Sequence, residues 1–443
     1  MSSPRQSTYS EDVRAAFSHW RRRTLALLWV VYAGYYLCRV NLAAAQGDVA
    51  AREGITKRQL GTILACMKVC YAIGQFVNGA LADRFGPRVL VTAGLVVSGL
   101  LNMVFAHLNG FRWMPAVWGA NGYFQACGWT SVVHIIANWF PGHLGEMASG
   151  VIGTSYILGG GFSWLLAGRL TESHGWRYAF WVPAWTCLGL AVLFLTTVRV
   201  RPEEAGLPSE SSPDVPREPE VEHNGWLSVL ANRRLWALAV ANAALIYGYH
   251  GLLDWTPHYL SEVGGLSAEA ASRRAFFLPL GGAIGCTAIA AFSRAYACRL
   301  GLKAVLPPML ALAALTFLFP TVVENVPGLA PLMLLALGIL SSPPASLIAC
   351  AMPADIAGKE GAGQAAGIVD AMAYAGSALS GWSSGRIMSA VAQSRGQTVA
   401  WRTVWRIWPM GMVLAAIIIV LSQRGERSGR TTCSSEEIRP AAP

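Results

Sequence analysis

Twelve apolar stretches of roughly twenty residues each, separated by short polar connections, leave this chain very few folds to choose from. About 20 residues of helix cross the hydrocarbon core of a bilayer. Inside that core every backbone donor and acceptor has to be paired within the protein, which a helix does for itself. The spans are expected at 24–46, 58–82, 88–108, 112–138, 145–169 and 177–199, and again at 234–259, 271–293, 303–322, 327–350, 361–388 and 402–422. Charged residues make up only 13% of the chain and hydrophobic ones 54%, which excludes a soluble globular protein and predicts an all-α polytopic membrane protein. The net charge of +10 would suit nucleic-acid binding, but the basic residues sit at helix ends and in the tails. Orientation in a membrane explains them there.

The polar segment 200–233 carries five prolines among Glu, Ser and Arg and reads as a linker between two sets of six spans. The expected organisation is therefore a tail at 1–23, a six-helix domain at 24–199, the linker, a second six-helix domain at 234–422, and a tail at 423–443. An even number of spans places both termini on one side. The even-numbered connections carry Arg84, Arg88, Arg199, Arg201, Arg233, Arg234 and Lys303, so that side is expected to be cytoplasmic. The first twenty-odd residues are polar and end in Arg21–Arg23, with no cleavable signal pattern, and the cell membrane (plasma or inner membrane) is the expected location.

The two halves repeat. The stretch beginning at Gly150 aligns without a gap on that beginning at Gly367, matching Gly159, Gly168 and Arg169 with Gly376, Gly385 and Arg386. Six spans separate the copies, so the repeats are parallel, related by an axis along the membrane normal. Glycine at this spacing lets helices touch closely.

Several polar side chains stand inside the spans, where they are costly. Arg39 lies deep in the first, and an arginine at mid-bilayer costs roughly 2.5 to 3.5 kcal/mol on insertion scales unless it faces a wet interior or a partner. On a continuous helix Tyr35 and Tyr36 precede it by one turn, and hydroxyls beside a guanidinium fork suit a phosphate or carboxylate. The alternative is an arginine that snorkels or pairs with an acid to pin two helices. Lys68, Tyr71, Gln75 and Asn78 form a stripe on one face of the second span, expected to line a cavity. His250, Asp254 and His258 recur one turn apart on the seventh span, either as a proton relay or as hydrated groups near the outer surface. Asp370 sits near the middle of the eleventh span, as a functional acid or as one that pins helices. The nine cysteines show no CxxC or His pairing, so neither metal nor disulfides are expected. Nucleotide-binding GxxxxGK[ST] and HExxH motifs are absent, no cofactor is implied, and no enzyme is expected.

GALADRFGPR, residues 79–88, resembles the signature loop between the second and third spans of the major facilitator superfamily. The resemblance implies twelve helices in two six-helix parallel-repeat domains, and a conformational latch built on Gly79, Asp83, Arg84, Gly86 and Arg88. GYYLCRVN (34–41), NGYFQACGW (121–129), RPEEAGLP (201–208) and GLLDWTPHYL (251–260) are similar to stretches of the organophosphate:phosphate antiporter family. That family includes glycerol-3-phosphate and hexose-phosphate transporters and the eukaryotic sugar-phosphate exchangers. Its second phosphate-binding basic residue falls at Tyr249, with His250 beside it; its fifth-span histidine falls at Tyr156, and Val40 follows Arg39 where lysine is common. The implied site is Arg39 with Tyr35, Tyr36, Lys68, Gln75 and Tyr156 from the first half and Tyr249, His250 and Tyr374 from the second. Coupling or interdomain charges would be Asp370, Lys68 and Asp254. Because the second and eleventh spans face each other in this fold, Lys68 and Asp370 are expected to pair in one state and part in another. The expected activity is exchange of an organophosphate for inorganic phosphate by a monomer embedded in lipid. A proton- or sodium-coupled carrier of another small organic anion, such as a carboxylate, is the alternative, and a sugar-phosphate sensor is a third reading.

Overall fold

The structure is a computed structural model that describes residues 11–140, 143–208, 231–300 and 302–423. Residues 1–10, most of the linker and nearly all of the expected C-terminal tail fall outside those residues, while 11–23, expected as tail, continue the first helix. Among the described residues every regular element is helical. The first span is a helix at Glu11–Leu37, a break, and a second helix at Asn41–Glu53. The next five are Lys57–Phe85, Pro87–His107, the pair Met114–Gln125 and Cys127–Trp139, His143–His174, and Tyr178–Thr197. The second set comprises Arg233–Glu262, the pair Ala268–Ala275 and Phe277–Leu300, Leu302–Asn325, and Ala330–Ser346 with a π-helical turn at Leu347–Ala351. It ends with Met352–Arg395 and Gln397–Gln423. The helices run past the expected apolar limits because polar residues continue the same helix beyond hydrocarbon depth. Among the described residues, nine of these segments are long and apolar enough to cross a membrane by length and composition alone. The other three are the fourth and eighth, each divided into two pieces, and the Gly-, Ala- and Ser-rich eleventh.

Equivalent glycines make equivalent contacts in the two halves. A Cβ on Gly159 in the fifth span would lie 2.8 Å from the Ala33 backbone of the first, and one on Gly376 in the eleventh would overlap the Ala243 carbonyl of the seventh. Nine residues further on, Gly168 abuts Ala268 and Ser272 of the eighth span, and Gly385 abuts Lys57 and Gly61 of the second. The first pair of contacts joins helices within a half, the second joins helices across the halves, and the repeat seen in sequence is thus a repeat of packing.

The two halves touch over only part of their length. At the end bearing the 53–57 turn, Lys57 Nζ lies 2.6 Å from a Glu262 carboxylate oxygen and donates to Gln397 at 2.8 Å. Trp401 Nε1 donates to the same carboxylate at 2.8 Å, and the Arg58 amide donates to Ser389 at 2.8 Å. Gly61 meets Gly381 and Gly385 backbone on backbone. Toward the end carrying the termini the halves separate. A Cβ at Gly150 or Gly367 would meet nothing within 4 Å, and Ile73, Phe76, Met147 and Val151 are exposed. Between these ends the two halves face each other across a gap that closes toward the 53–57 turn.

In the loop between the second and third spans, Gly86 adopts φ +80°, a conformation that favours glycine. Arg88 pairs with Glu204 and donates to the Val198 carbonyl at 3.0 Å, tying this loop to the end of the sixth span. Arg84 lies over the Phe85 ring, while the Asp83 side chain and the surroundings of Gly79 are not among those described.

Replacing Gly385 with Leu is expected to wedge the 53–57 end apart. A cysteine introduced at buried Ala65 should then react about tenfold faster with a membrane-impermeant maleimide, a shift of about 1.4 kcal/mol toward the parted form. Unchanged labelling in a folded variant would show that this contact does not control closure.

Candidate functional site

The break in the first span builds the site. Regular helix bonding stops at Leu37, and the Cys38 and Arg39 amides reach back only three residues, to the Tyr35 and Tyr36 carbonyls, each at 3.2 Å. The carbonyls this disturbs still need donors in a water-poor interior. Asn102 and Asn121 donate to the Cys38 carbonyl at 3.1 and 2.9 Å, Gln125 to that of Tyr35 at 3.1 Å, and Ser163 to that of Leu37 at 3.3 Å. These three amide side chains are buried, as is Asn41, which bridges Asn102 and the Ala179 carbonyl. The Asn and Gln of the NGYFQ stretch therefore hold the kink of the first span.

Arg39 projects from this break into the cavity. Its Nη1 donates to the Tyr36 hydroxyl and its Nη2 to the Tyr374 hydroxyl of the other half, both at 3.2 Å. Its guanidinium lies 3.9 Å from the centroid of the Tyr71 ring, a cation–π contact. Tyr71 in turn accepts from Gln75 at 2.9 Å and packs on Tyr374 at 4.6 Å between centroids, and Tyr156 flanks Tyr36 at 5.9 Å. No ion pair of the described residues involves Arg39, so it is not the acid-paired helix pin of the alternative reading. Each of the three phenols accepts an N–H and keeps its own O–H for a further acceptor. The guanidinium thus meets the hydroxyls of Tyr36 and Tyr374 from the first and eleventh spans, with the buried Tyr71 ring of the second beneath it.

A second polar group lies beside it. Lys68 forms an ion pair with Asp254, both side chains nearly buried, and stands 3.4 Å from His250 Nδ1. Ser377 meets the same nitrogen at 2.7 Å, and Gln46 donates to the Asp254 carbonyl at 2.7 Å.

Several expected placements differ. Tyr35 does not face the cavity; its hydroxyl donates to the Val91 carbonyl at 2.7 Å inside the first half, because adjacent helical residues point about 100° apart and the break cancels its one-turn alignment with Arg39. Lys68 pairs with Asp254 and is parted from Asp370 in this state, the seventh span bringing Asp254 inward where Gln46 also meets it. Asp254 is accordingly no hydrated outer group, and His258 is also buried, 3.5 Å from Glu262 and edge-on to Trp401. Tyr249 turns toward Gly282 of the eighth span and not to Arg39. Asp370 is solvent-accessible, one turn from Tyr374. Tyr71 was legible as part of the polar stripe but not as the ring beneath Arg39; nothing in the sequence marks Ser377.

Two similar six-helix halves that meet at one end and part at the other, with an arginine between them, have the arrangement of membrane transporters built from parallel repeats. The chain belongs to the Major Facilitator Superfamily, whose family model matches residues 28–381. A probable hexose phosphate transport protein of Chlamydia pneumoniae is 26% identical over 402 residues, covering 85% of this chain and 87% of that one. The glycerol-3-phosphate transporter of Bacillus subtilis is 30% identical over 282 residues, 60% of this chain and 62% of its own. The membrane sensor protein UhpC of Salmonella typhimurium is 26% identical over 395 residues, covering 86% and 88%. These relatives bear out the resemblance to organophosphate:phosphate antiporters, and they are transporters and a membrane sensor, not enzymes. The solved structure of a bacterial homologue of the human lysosomal transporter Spinster, inward-facing and occupied, shares the fold with a TM-score of 0.75 at 16% identity, covering 91% of this chain and 97% of that one.

Three substitutions separate scaffold from site. Tyr35→Phe and Asn121→Leu are expected to lower thermal stability, the latter by about 1–3 kcal/mol for a carbonyl left with one donor fewer. Tyr35→Phe should leave anion-induced thermal stabilisation intact, whereas Tyr374→Phe should reduce it. Equal losses in both tyrosine variants would contradict this division.

Proposed function

We propose that the protein carries a small organophosphate across the cell membrane in exchange for inorganic phosphate, by rocking of its two halves about the central site. The observation that carries this reading is the set of donors at the break, where Arg39 and the hydroxyls of Tyr36 and Tyr374 offer several N–H and O–H groups to one tetrahedral oxyanion. Relatives named for hexose phosphate and glycerol-3-phosphate support the same substrate class. The termini lie on the cytoplasmic side on this reading, as the arginine distribution predicts, so the cavity faces inward and the Lys57–Glu262 end is the closed outer gate. The protein acts as a monomer within the bilayer.

Exchange follows from the charge at the blind end. An unoccupied guanidinium held among phenols resists dehydration when the inner side closes, and a bound anion relieves that cost. Two features favour a second reading, cation-coupled transport of another small organic anion: Lys68 is already neutralised by Asp254, and a carboxylate, Asp370, stands in the cavity.

Counterflow in proteoliposomes loaded with inorganic phosphate distinguishes these readings. Labelled phosphate should exchange with the wild-type protein, and Arg39→Ala should lower the rate at least a hundredfold, about 2.7 kcal/mol of lost anion stabilisation. Anion uptake that needs a proton or sodium gradient, with no phosphate exchange, would establish the second reading in its place.

A further inference from the structure

Asp370 has no hydrogen-bond or ion-pair partner among the described residues, yet it stands in a cavity lined to hold an anion. It shares one face of the eleventh span with Gly367, one turn toward the open end, and with Tyr374, one turn toward the blind end. Beside Gly367 there is open space, while Tyr374 holds Arg39, so Asp370 lies on the path between the opening and the guanidinium. Arg39, Tyr36 and Tyr374 are its electrostatic neighbours. Tyr156, stacked toward Tyr36, adds another accessible aromatic ring to the same wall.

Four charged groups gather at this centre, and their pairing decides what it can accept. Lys68 and Asp254 satisfy each other. That leaves one guanidinium at the blind end and one carboxylate nearer the mouth. A carboxylate in that position repels a substrate carrying a second negative group and attracts one whose other end is positive. Tyrosine faces beside it attract a cation further through their ring quadrupoles.

We propose that the preferred substrate is a phosphate ester bearing an ammonium group at its other end, with the phosphate on Arg39 and the tyrosine hydroxyls, and the ammonium on Asp370 against the rings of Tyr36, Tyr156 and Tyr374. This deepens the organophosphate reading and rests on it. The substrate is then a zwitterion whose charges run antiparallel to the Arg39–Asp370 pair. Phosphates that carry an additional carboxylate or phosphate are disfavoured.

The test compares 2-aminoethyl phosphate with 2-hydroxyethyl phosphate, which differ only by an ammonium in place of a hydroxyl, as ligands that raise the thermal stability of the purified protein. The wild-type protein is expected to bind the amine at least about tenfold more tightly. In Asp370→Asn, a substitution of the same shape at a solvent-facing position, the preference should fall to within about threefold. Asp370→Glu should retain it, which keeps the test decisive if the asparagine variant folds poorly. Equal binding of the two esters by the wild type, or an unchanged preference in Asp370→Asn, would overturn the proposal. These outcomes are read from binding, so they are separate from a failure of phosphate exchange in proteoliposomes, which would instead count against the transport reading.

Discussion

The organisation of the protein depends on the need to satisfy backbone carbonyls freed at mid-membrane. Breaking the first span at Cys38–Val40 swings Arg39 out of the helix, but it also disturbs the carbonyls of Tyr35, Leu37 and Cys38 where water cannot serve them. Asn102 from the third span, Asn121 and Gln125 from the fourth, and Ser163 from the fifth are committed to those carbonyls. Four helices thereby become fixed relative to one irregular turn. The guanidinium is held at a set depth by the scaffold of its own half, while Tyr374 reaches it from the other half.

This arrangement couples the site to the contact between halves. From the 53–57 end inward, polar links cross the interface at Lys57–Glu262, at Lys68–Asp254 and finally at Arg39–Tyr374. Beyond that depth no hydrogen bond joins the two halves among the described residues. On the proposed reading an anion bound at Arg39 would sit at the boundary between the closed and parted portions, where it can bias the equilibrium between them. The glycine contacts supply the close sliding surfaces that such a rearrangement needs, with Gly168 and Gly385 in equivalent places in the two repeats.

Much of the fold was legible in the chain. Span lengths and the parallel repeats followed from apolar run length and glycine placement, both of which act locally, whereas membership was marked by the resemblance of GALADRFGPR. The candidate site was legible in part. Arg39, Tyr36, Lys68, Gln75, His250 and Tyr374 do converge, because polar residues in a membrane span have little choice but to face inward. Helical spacing misjudged Tyr35, since it presumed an unbroken helix through Cys38; no glycine or proline marks the break, which is held by amides on the third and fourth spans and a hydroxyl on the fifth. For Lys68 the structure shows one state, in which Asp254 is its partner. Asp254 and Asp370 are both acids on spans of the second half, and only the relative depth of the seventh and second spans decides between them.

The account stands most directly on where an oxyanion rests. A structure of the protein determined with inorganic phosphate should place the anion against the Arg39 guanidinium and the hydroxyls of Tyr36 and Tyr374, with the Lys68–Asp254 pair intact. Phosphate found on Lys68 and His250, with Asp254 displaced and Arg39 still engaged only by its tyrosines, would contradict the assignment of the break in the first span as the anion site.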